Sequence, residues 1–343
     1  MGKKEINMHE LRKQQECAMG TGRRKEPVSA FVSLAPLAGV SDRCFREICF
    51  HYGCDEATTE MISAQALLYD SVRTEHMLEK GAEGKLTVQL FGKDPLTLAK
   101  VISERFNTDD RFQAVELNMG CPAPKIVRNG EGSALMCDPR MSATIFRAMV
   151  QASSKPIYVK MRLGWDDNSM NYLTIAHIAE EEGVSRITLH ARTREQMYAG
   201  KANWEAIAHL KDAVNVQVVG NGDVTTPEEV EEMEKQTRCD GIAIGRAAMG
   251  NPFLFRQIYS YRSTGAYAPV SREETISVLL DHYVREIACR GEQRAILEMR
   301  KLMACYLSGF SGSARTKAAI MTMTDMKEIR AELERFRAQD ELF

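Results

Sequence analysis

The chain has 343 residues, of which 44% are hydrophobic and 27% charged, with 45 Lys and Arg against 47 Asp and Glu. That length holds one large core plus a small second domain, and no apolar run approaches the roughly 18 residues that would span a bilayer. A net charge of −2 and a mean hydropathy of −0.31 leave no global attraction for nucleic acid, so any such surface must be local.

The first 28 residues read as an N-terminal arm. It is charged (Lys3, Lys4, Glu5, Arg12, Lys13) and lacks the apolar stretch of a signal peptide, so a cytoplasmic protein is expected. The nine cysteines agree: their number is odd, no C-x-x-C pair occurs, and the five-residue spacing of Cys44, Cys49 and Cys54 suits neither a zinc nor a cluster site. They read as reduced thiols, and no metal is expected.

From residue 29 to 262, short β-branched runs alternate with helical stretches. The predicted strands are Phe31–Pro36, Ala57–Met61, Leu86–Gly92, Ala114–Gly120, Pro156–Gly164, Arg186–Arg192, Asn215–Gly222 and Gly241–Arg246. Helical spacing marks Pro95–Phe106, Met141–Ser153, Asn171–Glu182, Trp204–Ala213 and Pro227–Gln236, with Pro95 and Pro227 as start signals and Gly183 as a stop. Eight strands each leading into a helix predict an α/β fold, a (β/α)₈ barrel. An open doubly wound sheet is the alternative, weakened because no G-x-G-x-x-G opens any helix. Residues 263–270 read as a linker into a small all-helical domain, 263–343, with helices near Glu273–Ala288, Glu292–Leu307, Ala314–Met321 and Asp325–Ala338.

The residues that carry chemistry gather at the predicted strand ends, where barrels build their sites. The fourth strand ends Asn118-Met-Gly120-Cys121-Pro122, the fifth Lys160-Met-Arg162-Leu-Gly164, the sixth His190-Ala-Arg192-Thr-Arg194, the seventh Gly220-Asn221-Gly222-Asp223 and the eighth Gly245-Arg246. Each has a plainer reading alone: a Cys beside Pro is commonly a small buried hydrophobe, Lys160 and Arg162 could be a solvated rim, and His190 could be structural. Together they describe one mouth. The last two loops are where barrels hold phosphate, and positive charge at Lys160 suits a reduced flavin, which carries negative charge near N1.

These segments, with Leu34-Ala-Pro-Leu-Ala-Gly-Val-Ser-Asp42, Val88-Gln-Leu-Phe-Gly92 and Gly132-Ser-Ala-Leu-Met136, resemble the signature of the tRNA-dihydrouridine synthases, most like the bacterial B-type branch. The match runs in family order from about residue 30 to 310. The resemblance implies an FMN-binding barrel followed by a helical RNA-binding domain. FMN contacts would come from Pro36, Leu37, Ala38, Gln89, Lys160, His190, Asn221, Gly222, Asp223, Gly245 and Arg246. Asn118 would touch flavin or uracil. The implied reaction reduces uridines of tRNA to 5,6-dihydrouridine: hydride passes from FMN to C6, Cys121 protonates C5, and NADPH reduces the flavin again. Leu37 and Ser41 stand where Met and Thr are common, and the helical domain carries Arg300-Lys301-Leu302 and Cys305-Tyr306 in place of the usual His and Trp pattern.

An RNA substrate agrees with basic residues expected on the rim, Lys125, Arg128, Arg162, Arg192 and Arg194. It also agrees with the stretch 285–317, where seven basic side chains (among them Arg290, Arg294, Arg300 and Lys301) face three acidic ones. The partner expected is tRNA, with the protein a monomer and no membrane involved. Two other readings stay open at this point: a dihydroorotate-dehydrogenase-like flavoprotein acting on a free pyrimidine, and a non-catalytic RNA-binding flavoprotein.

Overall fold

The computed structural model describes residues 29–69, 72–81 and 84–339, so the expected arm over 1–28 lies outside the described residues. Eight strands, β1 (Phe31–Leu34), β2 (Glu56–Ser63), β3 (Lys85–Phe91), β4 (Ala114–Met119), β5 (Ile157–Arg162), β6 (Arg186–His190), β7 (Gln217–Asn221) and β8 (Gly241–Ile244), form a closed barrel. All neighbours are parallel, and β8 returns to β1 in register from Phe31↔Gly241 to Leu34↔Ile244. That closure excludes the open sheet.

Successive strand residues point to opposite faces. One set, including Val32, Leu34, Val88, Leu117, Val159 and Leu189, is fully buried in the main apolar core with the surrounding helices. The other set turns inward and is polar: Ser33, Glu56, Thr87, Glu116, Lys160 and Arg186 line a cavity inside the barrel. Only Ala35, Val219 and Ala243, with Phe31 against them, make a small apolar cluster there. Barrels usually fill this space with branched aliphatics. Buried charge there needs a partner to offset desolvation, and Arg186 has one: it lies 2.6 Å from Glu56, with the Phe31 and Tyr158 rings 4.7 and 4.3 Å from its guanidinium carbon.

The outer helices expected from the sequence are found with two differences, and Arg43–His51 between β1 and β2 is a further helix. The expected helix Pro95–Phe106 is α-helical only to Val101 and continues as a π-type turn over Ile102–Phe106, where Asn107 N–H donates to Ile102 O at 3.3 Å. The wider turn keeps both Ile102 and Phe106 in the core, Phe106 edge-on to Phe112 at 5.7 Å. The helix after β8, Phe253–Thr264, runs past the expected boundary at 262. Gly265 stops it in the left-handed conformation (φ 71°), its N–H donating to Tyr261 O at 2.8 Å.

Four further helices follow, Arg272–Arg290, Glu292–Tyr306, Ser313–Ile320 and Met326–Arg337. They do not stand apart from the barrel. Ile276, Leu279, Tyr283, Met299 and Tyr306 belong to the same continuous core. His282 stacks on Phe45 of the helix Arg43–His51 at 5.7 Å. Gly250, just after β8, lies against Cys305–Tyr306 so closely that a Cβ there would sit 2.3 Å from Tyr306 N. Among the described residues no helix is long and apolar enough to cross a membrane.

Candidate active site

At the carboxyl end of the barrel, β4 delivers Asn118 and then the Gly120-Cys121 turn. Asn118 Oδ1 accepts from Gly120 N–H at 3.2 Å and from Cys121 N–H at 3.0 Å, so the side chain caps the turn that carries the thiol. The far side of the turn is held by the Gly132–Cys137 segment, where Ser133 donates its N–H (3.1 Å) and its Oγ–H (3.0 Å) to Cys121 O. Gly132 has φ 61°, and a Cβ there would lie 2.8 Å from the same carbonyl, which is why this approach needs glycine. Arg162 Nε donates to Gly120 O at 2.7 Å. Cys121 itself is half-buried and free.

On the neighbouring strand β5, in register with Asn118, Lys160 donates its ammonium to Asn221 Oδ1 at 3.0 Å, while Asn221 Nδ2–H donates to Ala243 O at 2.6 Å. Burial lowers the Lys160 pKa to about 8, with Glu116 pulling it up and Arg162 pushing it down. His190 ends β6 and is 8% exposed. Burial first, then Lys160, Arg162, Arg192 and Arg246, hold it neutral well below the usual imidazole range. Gly222 (φ 128°) brings the backbone after β7 against this ring, since a Cβ would lie 2.8 Å from Ala202 and 3.3 Å from His190 Cδ2. Asp223, also left-handed (φ 56°), accepts from Arg192 at 2.6 Å and Ala202 N–H at 2.7 Å. Burial raises its pKa, but the hydrogen bonds from Arg192 and Ala202 and the charges of Arg192 and Arg246 together outweigh that and hold it low. Arg246, half exposed after Gly245, lies 3.6 Å from Asp223.

Pro36 lines the barrel cavity, and Leu37 is half-buried beside it. The turn they open is closed by Ser41, whose Oγ accepts from Leu37 N–H at 2.8 Å, with Ala38 exposed at its tip. Gln89 is fully buried beneath the mouth: its Oε1 accepts from Asn118 Nδ2–H at 2.8 Å and its Nε2–H donates to Glu116 at 2.7 Å. The mouth thus gathers most of the residues expected from the sequence.

Several basic residues stand elsewhere than expected. Arg162 is 2% exposed and Arg192 1%, not on a solvated rim. Arg162 also donates to Thr193 O (2.9 Å) and Met197 O (2.8 Å), and Arg192 to Ala199 O (3.0 Å) and Gly200 O (2.6 Å). Their donors tie down the loop after β6. Arg194 is half-buried, 4.6 Å over the Trp165 ring. Lys125 and Arg128 are exposed, as expected. In the C-terminal helices Arg290 is not free for phosphate: it pairs with Asp42 (2.6 Å), Glu286 (2.7 Å) and Glu298 (2.7 Å). Arg294 shares Glu298 at 2.8 Å but is half exposed. Arg300 is half-buried and reaches Met323 O, and Lys301 is exposed.

One residue at the mouth escaped sequence reasoning. Tyr198 is 50% exposed, with the guanidinium carbons of Arg246 and Arg162 4.7 and 5.6 Å from its ring centre and His190 6.1 Å away. Its only sequence signal is an aromatic four residues beyond Arg194, which means little until the loop folds back.

The dihydrouridine synthase (Dus) family matches residues 33–342 of the chain. Among curated relatives, a probable tRNA-dihydrouridine synthase of Rickettsia bellii is 36% identical over 90% of this chain and 95% of that protein. The tRNA-dihydrouridine synthase B of Pseudomonas aeruginosa is 35% identical over 89% of this chain and 92% of its own. That of Shewanella oneidensis is 37% identical over 80% and 85%. The chain belongs to the dihydrouridine synthase family. Among solved structures, histamine dehydrogenase from Rhizobium sp. 4-9 overlays 76% of this chain and 50% of its own at TM-score 0.49 and 13% identity, too distant to bear on function.

For a dihydrouridine synthase the natural question is whether the mouth fits a flavin mononucleotide. The residues fit. Lys160 is half-buried with one bond to Asn221, leaving ammonium hydrogens for a ligand. His190 is neutral, and Arg246 keeps an exposed guanidinium beside the Gly222 and Gly245 backbones. That set suits a ring system with an anionic edge and one phosphate.

Proposed function

We propose that this protein reduces specific uridines of tRNA to 5,6-dihydrouridine, using FMN, with NADPH as the source of hydride and Cys121 as the proton donor. FMN would be held by Pro36, Leu37, Ala38, Lys160, His190, Asn221, Gly222, Asp223, Gly245 and Arg246, with Gln89 beneath, and when bound supplies the hydride for C6 of the base. Asn118 is proposed to meet flavin or uracil with the one amide hydrogen left after its bond to Gln89.

The observation that carries this reading is the fixed position of Cys121 at the same end of the barrel as Lys160 and His190, on the neighbouring strands β4, β5 and β6. Hydride addition to C6 leaves negative charge on C5 and O4 of the uracil, and C5 must then take a proton. A thiol is a far stronger acid than a hydroxyl and can release its proton to that carbon. The Asn118 cap and the two Ser133 bonds hold the turn still, so the thiol waits at a defined place. Lys160, charged below pH 8, favours negative charge on its side of the mouth. The target base must leave its stack to enter. For the polynucleotide, Lys125, Arg128, Arg294, Arg300, Lys301 and the half-buried Arg194 remain the proposed contacts.

The test is direct. Purified protein is incubated with NADPH and an unmodified tRNA transcript, and dihydrouridine is counted by mass spectrometry. Product in the transcript, with free orotate untouched, is the expected result. Turnover of free pyrimidine without change in RNA would overturn the RNA substrate, and a protein releasing FAD or no flavin would overturn the cofactor.

A further inference from the structure

Beneath the mouth runs a relay of side-chain hydrogen bonds whose two ends fix its direction. At the top, Gly120 and Cys121 offer backbone N–H groups, which can only donate, to Asn118 Oδ1. At the bottom, Glu116 offers a carboxylate, which can only accept, to Gln89 Nε2. Between them Asn118 Nδ2–H donates to Gln89 Oε1 at 2.8 Å. Amides have interchangeable ends in shape but not in polarity. With a pure donor above and a pure acceptor below, each amide has one orientation that satisfies every bond.

We propose that Glu116 is a positioning residue for Cys121, acting through Gln89 and Asn118 to keep an acceptor under the Gly120-Cys121 turn. The inference rests on the reading of Cys121 as proton donor for its importance, though not for its geometry. Glu116 is 3% exposed on β4, two residues before Asn118, and shares the barrel interior with Lys160 on β5 and Arg186 and Thr188 on β6. Burial raises its pKa, while Gln89, Lys160, Arg186 and Thr188 favour the carboxylate. Arg186 is in turn paired with Glu56.

The neighbours predict what Glu116→Gln does. A glutamine there must turn its oxygen toward Lys160 and Arg186, because its NH₂ facing two cations is unfavourable. Its NH₂ then meets Gln89, which has to flip. Asn118 flips in consequence and presents its own NH₂ to the N–H groups of Gly120 and Cys121. Donor faces donor, and the cap is lost. Asn118→Asp cures this: an aspartate accepts on both sides, receiving Gln89 Nε2–H from the reversed relay and the two turn amides.

The experiment is hydrogen exchange of the Gly120 and Cys121 amides in the full-length protein, with and without FMN, alongside steady-state kinetics. In E116Q the protection of both amides should fall about tenfold, the worth of one lost buried hydrogen bond, while amides of β7 and β8 hold. Its kcat should fall with KM for tRNA unchanged. In E116Q/N118D the protection should return even though activity does not. Unchanged protection in E116Q overturns the proposal. So does a loss that N118D fails to restore, because that is general loosening of β4 and not a reversed relay. Should E116Q not fold, N118D must restore folding and the protection of both amides in the double variant, and a double variant that also fails to fold overturns the proposal. Failure of Cys121 as proton donor shows in the Cys121→Ala product assay instead, and leaves these exchange rates untouched.

Discussion

Two regions of this molecule concentrate buried charge, and they treat it in opposite ways. Where the C-terminal helices meet the barrel, cations are matched by carboxylates. Arg290 is shared by Asp42, Glu286 and Glu298, and Arg285 pairs with Glu47 at 2.8 Å and Asp281 at 2.7 Å. Burial works against the charge on Arg290, but its three carboxylates outweigh it and hold the guanidinium firmly protonated. At the mouth, Lys160, Arg162, Arg192 and Arg246 converge with His190, and of nearby carboxylates Asp223 serves two of them while Glu116 lies below. Burial lowers the pKa of Lys160 to about 8 and that of Arg162 to about 10. The joint spends its charge on holding the chain together. The mouth keeps positive charge unspent at a cost in stability, which marks a place for an anionic ligand.

The largest expected effect lies at the mouth. Cys121→Ala should cut dihydrouridine formation by about 10²- to 10⁴-fold, the range of a lost general acid, with flavin content and thermal midpoint unchanged. Near-wild-type product, measured by mass spectrometry of the tRNA, would remove Cys121 from the chemistry. Next comes the joint. Arg290→Ala leaves Asp42 and Glu286 without their arginine and should cost about 3 kcal/mol in urea unfolding, while product formed per folded molecule stays level. A variant of normal stability with weakened RNA binding would reverse the contrast between the two regions.

A smaller effect separates Lys160 from its surroundings. Its ammonium loses its proton as pH rises through about 8, so FMN affinity of the wild type should decline above that pH. Lys160→Met should bind FMN about tenfold more weakly at pH 7, the worth of one hydrogen bond to a charged group, and show no such decline. A wild type whose affinity is flat from pH 7 to pH 9 would mean Lys160 does not face the flavin. The smallest effect concerns RNA. Arg294→Ala and Lys301→Ala should each lower the slope of log affinity against log salt by roughly 0.7 to 0.9, the value of one phosphate contact. Arg290→Ala should leave that slope unchanged, because its charge is already paired.

Much was legible from the sequence because it is local. Short β-branched runs located eight strands within a few positions of their observed ends, and Pro95, Pro227 and Gly183 each bounded a helix, since both signals depend on neighbours in the chain. The motif residues were placed at strand ends, and strand ends in a closed barrel share one face; Cys121, Lys160, His190 and Asp223 came together for that reason. Depth and partnership were not local. Spacing put Arg162 on the face of Lys160, but only the loop 193–200, folded back over it, brings the carbonyls that bury its guanidinium. The charge count over 285–317 included Arg290, whose partner Asp42 lies 248 positions away in the sequence. The sequence by itself determined the barrel, its order and the residues at its mouth. Which of its charges remain free to meet a ligand was decided only by the tertiary structure, because that depends on carboxylates and carbonyls brought in from distant segments.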